Sequence, residues 1–390
     1  MRIAIINRFT EDDCDYSDLK DVSDTEYIFF NISCSNRTTK NFYNFNYSDS
    51  ELNLCIMDII EMHKKIPFSN VLTPYEFDVE LGGAIREYLD IGFQSRESCL
   101  SFRDKLIMKN KLREVVNLPR YSEVSNLIDI IEFIESYGFP VIIKPRNSAG
   151  SFGVKLLNNY ESLKKLEIIN LENYLIESYV KGSMFHLDGL YCNGEILFCS
   201  VSKYLSDCLT HEKEEGEYVG SVMVDLESDV AKILTEELKK VLNTLSNKNE
   251  RIPYHCEFFI TENGDPIFCE IASRIGGGLI NQAVENSYKF DLFITSLINE
   301  HDIVENEMGA YSGWILFPSK SGKLLNLELA DFEWIKFAQF DKSRIGRILE
   351  KSHTSIYSIV GYVVQGNSSD EVLQRIEKLI EWQEKRIQWG

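Results

Sequence analysis

The segment that decides the fold is His255-Cys256-Glu257-Phe258-Phe259-Ile260, followed by Thr261-Glu262-Asn263-Gly264-Asp265 and then Pro266-Ile267-Phe268-Cys269-Glu270-Ile271. It reads as two alternating strands around an Asn-Gly dipeptide, the pair favoured in two-residue type I′ turns. With the turn at Asn263-Gly264, Glu257 falls directly opposite Glu270. Alternation then puts Cys256, Phe258, Ile260, Ile267, Cys269 and Ile271 together on the other, apolar face. The two carboxylates share a face with Cβ atoms about 5 Å apart. A hard divalent cation, Mg²⁺ or Mn²⁺, would bridge them. Taken alone, the pair fits equally well two solvated carboxylates or a general acid/base pair.

Working outward, Val141-Ile142-Ile143-Lys144 is an apolar strand ending in a lysine. The small-residue loop Asn147 to Gly153 follows, and Val154–Leu157 returns as a strand. Gly150 and Gly153, with Ser148 and Ser151 between and beside them, let backbone N–H groups converge on one anion. The spacing is neither the Walker pattern nor the dinucleotide fingerprint. A tight hairpin loop that simply needs glycine is the plainer reading of this segment by itself. Arg103-Asp104-Lys105 offers further cations on a preceding helix, expected over Ser101 to Val116 with Ser101 as its cap. Beyond Glu270, Arg274 stands four residues on, and Gly276-Gly277-Gly278 leads into a helix expected from Leu279 to Ile298.

The first hundred residues alternate apolar runs at Ile3–Ile6, Tyr27–Ile32, Leu54–Ile56 and Val71-Leu72 with helical stretches such as Glu76 to Leu89. This suggests a small parallel sheet. Ser122 to Tyr137 reads as a helix. Tyr174–Val180, Phe185–Cys192 and Glu195–Val201 read as strands, the last two joined by a second Asn-Gly turn at Asn193-Gly194 that sets Asp188 opposite Cys199. His186 and Asp188 share one strand face. Ser228 to Leu245 is a helix, and His211 to Gly216 is a charged loop suited to a lid. The tail adds strands at Gly313–Phe317 and Ile356–Val364 and a helix from Ser369 to Ile387.

The net charge of -20 argues against a general nucleic-acid or anionic-membrane partner. No apolar run of about 18 residues is present for a membrane span. The stretch Met1 to Asn7 is too soon interrupted for a signal peptide. Nine scattered cysteines without a CxxC pair read as reduced thiols of a cytoplasmic protein.

In this order the motifs resemble the ATP-grasp superfamily and, within it, the carboxylate–amine ligases of the L-amino acid ligase type. The resemblance spans about Leu72 to Ile298. It rests on Pro140 to Pro145, Phe185 to Leu190, His255 to Phe259 and Glu270 to Gly278. It implies an α/β (α+β) fold: a Rossmann-like N-terminal domain over 1–100, a lid subdomain over 101–182, a catalytic subdomain over 183–305, and a C-terminal antiparallel-sheet subdomain over 306–390. It implies that Lys105 and Lys144 contact ATP phosphates beneath the loop holding Ser148, Gly150, Ser151 and Gly153. Glu177, Ser178, Tyr179 and Val180 would hold adenine, with Glu177 taking the exocyclic amine. Glu257 and Glu270 would bind Mg²⁺ or Mn²⁺. Arg274, with Gly276 and Gly277, would stabilise the acyl-phosphate chemistry, and His255 would face the substrate.

Two departures stand out. Met184 occupies the position where many family members bind ribose with a glutamate, which passes that role to His186 or Asp188. Ala272 replaces an asparagine that serves as a third metal ligand. The implied reaction joins a small-molecule carboxylate to an amine, with release of ADP and phosphate. The alternatives are a biotin-carboxylase-like or purine-pathway enzyme that activates bicarbonate, and an ATP-binding regulatory protein without turnover. A homodimer formed through the N-terminal region or the tail is compatible with either.

Overall fold

The computed structural model describes residues 1–10, 14–22, 24–33, 42–167, 170–206, 218–247, 249–298, 307–351 and 358–390. The expected lid loop at 211–216, together with His211, His301 and His353, lies outside them. Strands β1 (Arg2–Asn7), β2 (Glu26–Ile32), β3 (Tyr43–Tyr47) and β4 (Asn70–Leu72) form a parallel sheet in the order β3-β2-β1-β4. β1 and β2 are apolar runs, as strands covered on both faces must be. Leu54–Ile56 is not a strand. It belongs to helix α1 (Leu52–Lys65), preceded by a Ser48/Glu51 capping box, and buries Cys55 and Ile59 one turn apart. Helix α2 (Val79–Tyr88) follows β4.

The helix expected over Ser101–Val116 is two helices, α3 (Arg96–Arg103) and α4 (Lys105–Leu112), capped by Ser95 and Asp104. Asp104 is extended (φ -89°, ψ 108°), accepts from the backbone N–H of Leu106 and Ile107, and so outcompetes a continuous helix. Likewise Ser122–Tyr137 splits into strand β5 (Tyr121–Val124) and helix α5 (Leu127–Tyr137), because Asn126 and Asp129 form a capping box. β5 joins β6 (Val141–Pro145), β7 (Lys155–Leu157) and β8 (Tyr174–Ser178) in an antiparallel sheet, order β5-β8-β6-β7, carrying α5 and α6 (Tyr160–Lys164) on its core.

The largest sheet takes β9 (Gly182–Cys192), β10 (Glu195–Tyr204), β11 (Val219–Met223), β12 (Arg251–Thr261), β13 (Pro266–Ala272) and β14 (Tyr311–Pro318). Helices α7 (Asp229–Leu245) and α8 (Ile280–Tyr288) pack along it, and α9 (Leu292–Leu297) packs mainly on the first sheet through Phe293, Ile294 and Leu297. Lys289, at φ 64°, ends α8, which breaks the single helix expected over Leu279–Ile298. β15 (Gly322–Leu327), β16 (Ile335–Phe340), β17 (Ile348–Leu349), β18 (Ser358–Gly366), helix α10 (Ser369–Glu384) and β19 (Ile387–Trp389) complete the described chain. The large sheet runs β13-β12-β9-β10-β11-β14-β18-β16, and β17-β15-β19 form a small one. Among the described residues no helix is long and apolar enough to cross a membrane. The seven described cysteines are free thiols.

Candidate active site

The hairpin β12–β13 departs from the expected turn. Thr261 N–H donates to Asp265 O and Gly264 N–H to Thr261 O, so the loop holds three residues, with Gly264 at φ 85°. Phe258 pairs with Phe268, but Glu257 pairs with Glu270, leaving Cys269 as a bulge. The longer loop and the bulge shift the register by one residue in opposite senses, so the glutamates still face each other. The apolar face is altered: Phe268, not Cys269, enters the core beside Phe258 (ring centroids 5.5 Å apart). Cys269 joins Glu257, Phe259 and Glu270 on the wall of a cleft of about 1240 Å³, part of it open to solvent. Two groups from outside the hairpin hold the bulge: Asn117 O accepts from Phe268 N–H, and Lys109 Nζ donates to Cys269 O (3.0 Å).

The opposite wall comes from the β5–β8 sheet and α4. Lys105 Nζ lies 3.4 Å from Glu270 and donates to Ser148 O (2.6 Å), which ties helix, hairpin and glycine loop together. Burial alone would raise the Glu270 carboxyl, but Lys105 and Lys144 hold it down to about 2. Gly150, Ser151 and Gly153 all take positive φ. Ser148, Gly150 and Ser151 line the cleft. Gly153 sits behind it, where a Cβ would press on Pro145.

Glu177, Ser178, Tyr179 and Val180 line the cleft as expected. The Glu177 carboxylate, however, lies between two buried lysines: Lys109 at 3.0 Å and Lys144 at 3.1 Å. Burial would raise its pKa, and the two ammonium groups override this and lower it. Burial works against charge on Lys144, and Glu177 overcomes it, raising that lysine's pKa. Both Glu177 oxygens are thus engaged, Oε1 by Lys109 and Oε2 by Lys144, while the residue still lines the cleft. Lys109, fully buried, carried no sequence signal beyond being one of several lysines on a helix.

Arg274 reaches the cleft and bonds Glu76, which also takes Arg103. Glu76 follows β4, so the first sheet's own loop clamps the arginine. Burial would raise Glu76, and Arg274 with Arg103 lowers it. Gly277 lines the cleft, but Gly276 does not. A Cβ at Gly276 would collide with Asp188 Oδ1 and His255 Nδ1.

His186 and Asp188 share the face of Glu257 and His255 but are sealed off, at 1% and 0% exposure, and do not reach the cleft. Asp188 accepts from His255 (2.8 Å) and His186 (2.5 Å), and His186 Nε2 meets Ser221 Oγ at 2.7 Å. The Tyr204 ring packs against His186, and its hydroxyl donates to Glu257 (2.8 Å). The place expected for His186 and Asp188 beside the nucleotide is therefore corrected to a buried support for His255. Asp188 opposes Ser200, not Cys199, because β10 bulges between Ile196 and Phe198. His255 does face the cleft. Burial would lower its pKa, and Asp188 raises it to about 10.

Residues 137–282 match the ATP-grasp domain. The chain is 30% identical to the L-arginine-specific L-amino acid ligase of Bacillus subtilis, over 72% of this chain and 70% of that one. It belongs to the ATP-grasp family. A D-alanine--D-alanine ligase from Flavobacterium psychrophilum is 28% identical over 49% of this ATP-grasp chain and 60% of its own. Among solved structures, an L-amino acid ligase from Bacillus licheniformis superposes with TM-score 0.77 at 18% identity, covering 100% of this chain and 98% of that one. The N5-carboxyaminoimidazole ribonucleotide synthetase of Thermotoga maritima gives 0.71 at 16%, covering 99% and 98%. The ATP-grasp fold is thus shared over the whole described chain. The protein is an ATP-dependent ligase of this family.

Proposed function

We propose that this ligase activates a carboxylic acid of the amino-acid class as an acyl phosphate and transfers it to an amine, forming an amide with release of ADP and phosphate. One observation carries the reading: Glu257 and Glu270 face a cleft whose other wall presents Lys105, Lys144 and the glycine loop. Two opposed carboxylates and no further ligand at Ala272 suit a hard, hydrated divalent cation. Lys105, at 3.4 Å, holds the charge of Glu270 in this structure. Glu257 and Glu270 would hold Mg²⁺ or Mn²⁺, which when bound offsets phosphate charge.

The chain's own groups do the rest. The segment Glu177–Val180 takes adenine, with Met184 under the sugar. Lys105, Lys144 and the backbone of Ser148–Ser151 orient the phosphates, with Glu177 and Lys109 fixing the Lys144 ammonium. The acid's oxygen attacks the γ-phosphorus, the bond to ADP breaks, and Arg274 with the Gly277 backbone faces the charge that develops. The amine then forms the C–N bond as phosphate leaves with the C–O electron pair, and its proton passes to solvent. His255, braced by Asp188, borders the substrate end. In this reading residues 1–100, 101–182, 183–305 and 306–390 are the N-terminal, lid, catalytic and C-terminal units. A cytoplasmic homodimer belongs to the same reading, tested by fractionation and light scattering.

The deciding assay is phosphate release from Mg-ATP with panels of amino acids, amines and bicarbonate. Release that needs an acid together with an amine supports the proposal. Release with bicarbonate alone favours the carboxylating alternative. Tight ATP binding without release under any condition favours a regulatory protein.

A further inference from the structure

The two oxygens of Glu257 stand in different surroundings. Oε1 accepts from the Tyr204 hydroxyl at 2.8 Å and lies 3.4 Å from His255 Nε2. Oε2 has no hydrogen bond or ion pair among the described residues. Glu257 and Tyr204 both line the cleft. One oxygen of this carboxylate is therefore claimed from inside the protein, and the other is left to the cleft.

Tyr204 reaches Glu257 from two strands away. It is the last residue of β10, and β9 lies between that strand and β12. Ser202, His186 and Glu257 stand abreast across the three strands. Tyr204 is two residues beyond Ser202 and so shares its face. Its ring crosses β9 diagonally, a span that aromatic side chains bridge. On the way it lies on the His186 ring, with centroids 4.7 Å apart. That imidazole cannot swivel, because Nδ1 meets Asp188 and Nε2 meets Ser221 Oγ. An apolar side chain would fill the same space without a desolvation cost, whereas a histidine held at both nitrogens adds a fixed orientation. The sealed network thus forms a rigid floor under a tyrosine whose hydroxyl is aimed at one oxygen of Glu257.

We propose that Tyr204 is a positioning residue for the divalent cation, holding Glu257 Oε1 so that Oε2 is the single oxygen this carboxylate offers to the metal. The inference rests on the metal role proposed for Glu257 and Glu270 and deepens it. Mg²⁺ demands a near-ideal octahedron of oxygens, which one carboxylate oxygen fits and the narrow bite of two from the same carboxylate does not. Ca²⁺ accepts that two-oxygen grip in its larger, looser shell. A glutamate with one oxygen already claimed therefore suits Mg²⁺ or Mn²⁺ and denies Ca²⁺ its preferred hold. A partner behind a ligand also fixes the direction in which that ligand points.

The test uses the full chain saturated with the β,γ-imido analogue of ATP, so that no turnover is needed. Mn²⁺ binding is read by electron paramagnetic resonance, and Ca²⁺ binding by its competition with Mn²⁺. Tyr204→Phe keeps the ring on His186 and removes only the hydroxyl. It should raise the Mn²⁺ Kd about tenfold while the Ca²⁺ Kd moves by less than about threefold, so that the preference for Mn²⁺ falls. Unchanged Mn²⁺ affinity overturns the proposal. Equal weakening of both ions overturns it too, because it gives Tyr204 a merely structural role. Should Tyr204→Phe fail to fold, the wild type decides: its preference for Mn²⁺ over Ca²⁺ must exceed that of the free nucleotide analogue, and a preference no larger overturns the proposal. Wild-type protein that takes up no Mn²⁺ beyond the free analogue defeats the metal reading of Glu257 and Glu270 and this inference with it. A variant with wild-type affinities for both ions defeats the role of Tyr204 alone.

Discussion

The two Asn-Gly hairpins look alike in sequence and fold differently. In β9–β10, Asn193 and Gly194 both take positive φ (53° and 90°) and form a true two-residue turn, pairing Cys192 with Glu195. In β12–β13 only Gly264 is left-handed, and the loop holds three residues. Each hairpin then carries a bulge, after Ile196 in one and at Cys269 in the other. In the first hairpin nothing offsets the bulge, so Asp188 slides to Ser200. In the second the longer loop offsets it, and Glu257 meets Glu270. Both bulges are held from outside the hairpin, by the Tyr254 hydroxyl on Phe198 O (2.8 Å) and by Lys109 on Cys269 O. A dipeptide selects a turn; side chains from distant elements select the register several residues away.

The contrast between the open acidic pair and the buried acid yields four expectations. The largest effect is on chemistry: Glu270→Gln should abolish product. Arg274→Ala should cost about 3–4 kcal/mol in the transition state, read as kcat/KM for phosphate release. Both should keep the wild-type circular dichroism spectrum, and wild-type turnover in either would sink the site assignment.

The buried counterpart should behave in the opposite way. Asp188→Asn leaves two histidines without their carboxylate and should destabilise by about 3–5 kcal/mol in urea unfolding. Burial would raise the Asp188 carboxyl, and His255 with His186 depresses it instead. Its contribution is therefore present above the unfolded value of about 3.8 and lost as pH falls through the lower folded one. The stability gap between wild type and Asp188→Asn should be steady from pH 7 to about 4 and close below that. The gap should also shrink as pH rises from the unfolded histidine value of about 6.5 toward 10, where His255 gives up its proton, and a gap unmoved at both ends would refute the assignment.

A smaller effect should follow Gly276→Ala, which pushes a methyl group against Asp188 and His255 and should cost about 1–3 kcal/mol. Retained stability with lost activity would instead place Gly276 in the cleft.

The smallest effect separates the turns themselves. Asn193→Ala forces alanine to positive φ and should cost about 1 kcal/mol. Asn263→Ala needs no such conformation and should stay within about 0.5 kcal/mol. Equal costs would mean that the two loops share one geometry.

Much of this molecule was legible in order and type. Strand β6 carrying Lys144, the loop of Gly150 and Gly153, the opposed glutamates and Arg274 follow from residue identity, periodicity and their succession along the chain, and together they resembled one family. Helix breaks were less legible: Asp104 and Asn126 are capping residues inside apolar-periodic stretches, and a cap competes with helix continuation on nearly equal terms. Lys109, Glu76 and Tyr204 carried no local signal, because each acts on a partner between 53 and 198 residues away.

By itself the sequence determined the α/β class, the ATP-grasp order of motifs and the residue types of the cleft. Alternation, glycine freedom and charge are local properties that any fold of this chain must respect. Only the tertiary structure decided that Glu177 is shared by two lysines and that His186 and Asp188 lie sealed behind His255. Burial and partner choice depend on which distant surfaces meet, and no spacing along the chain encodes them.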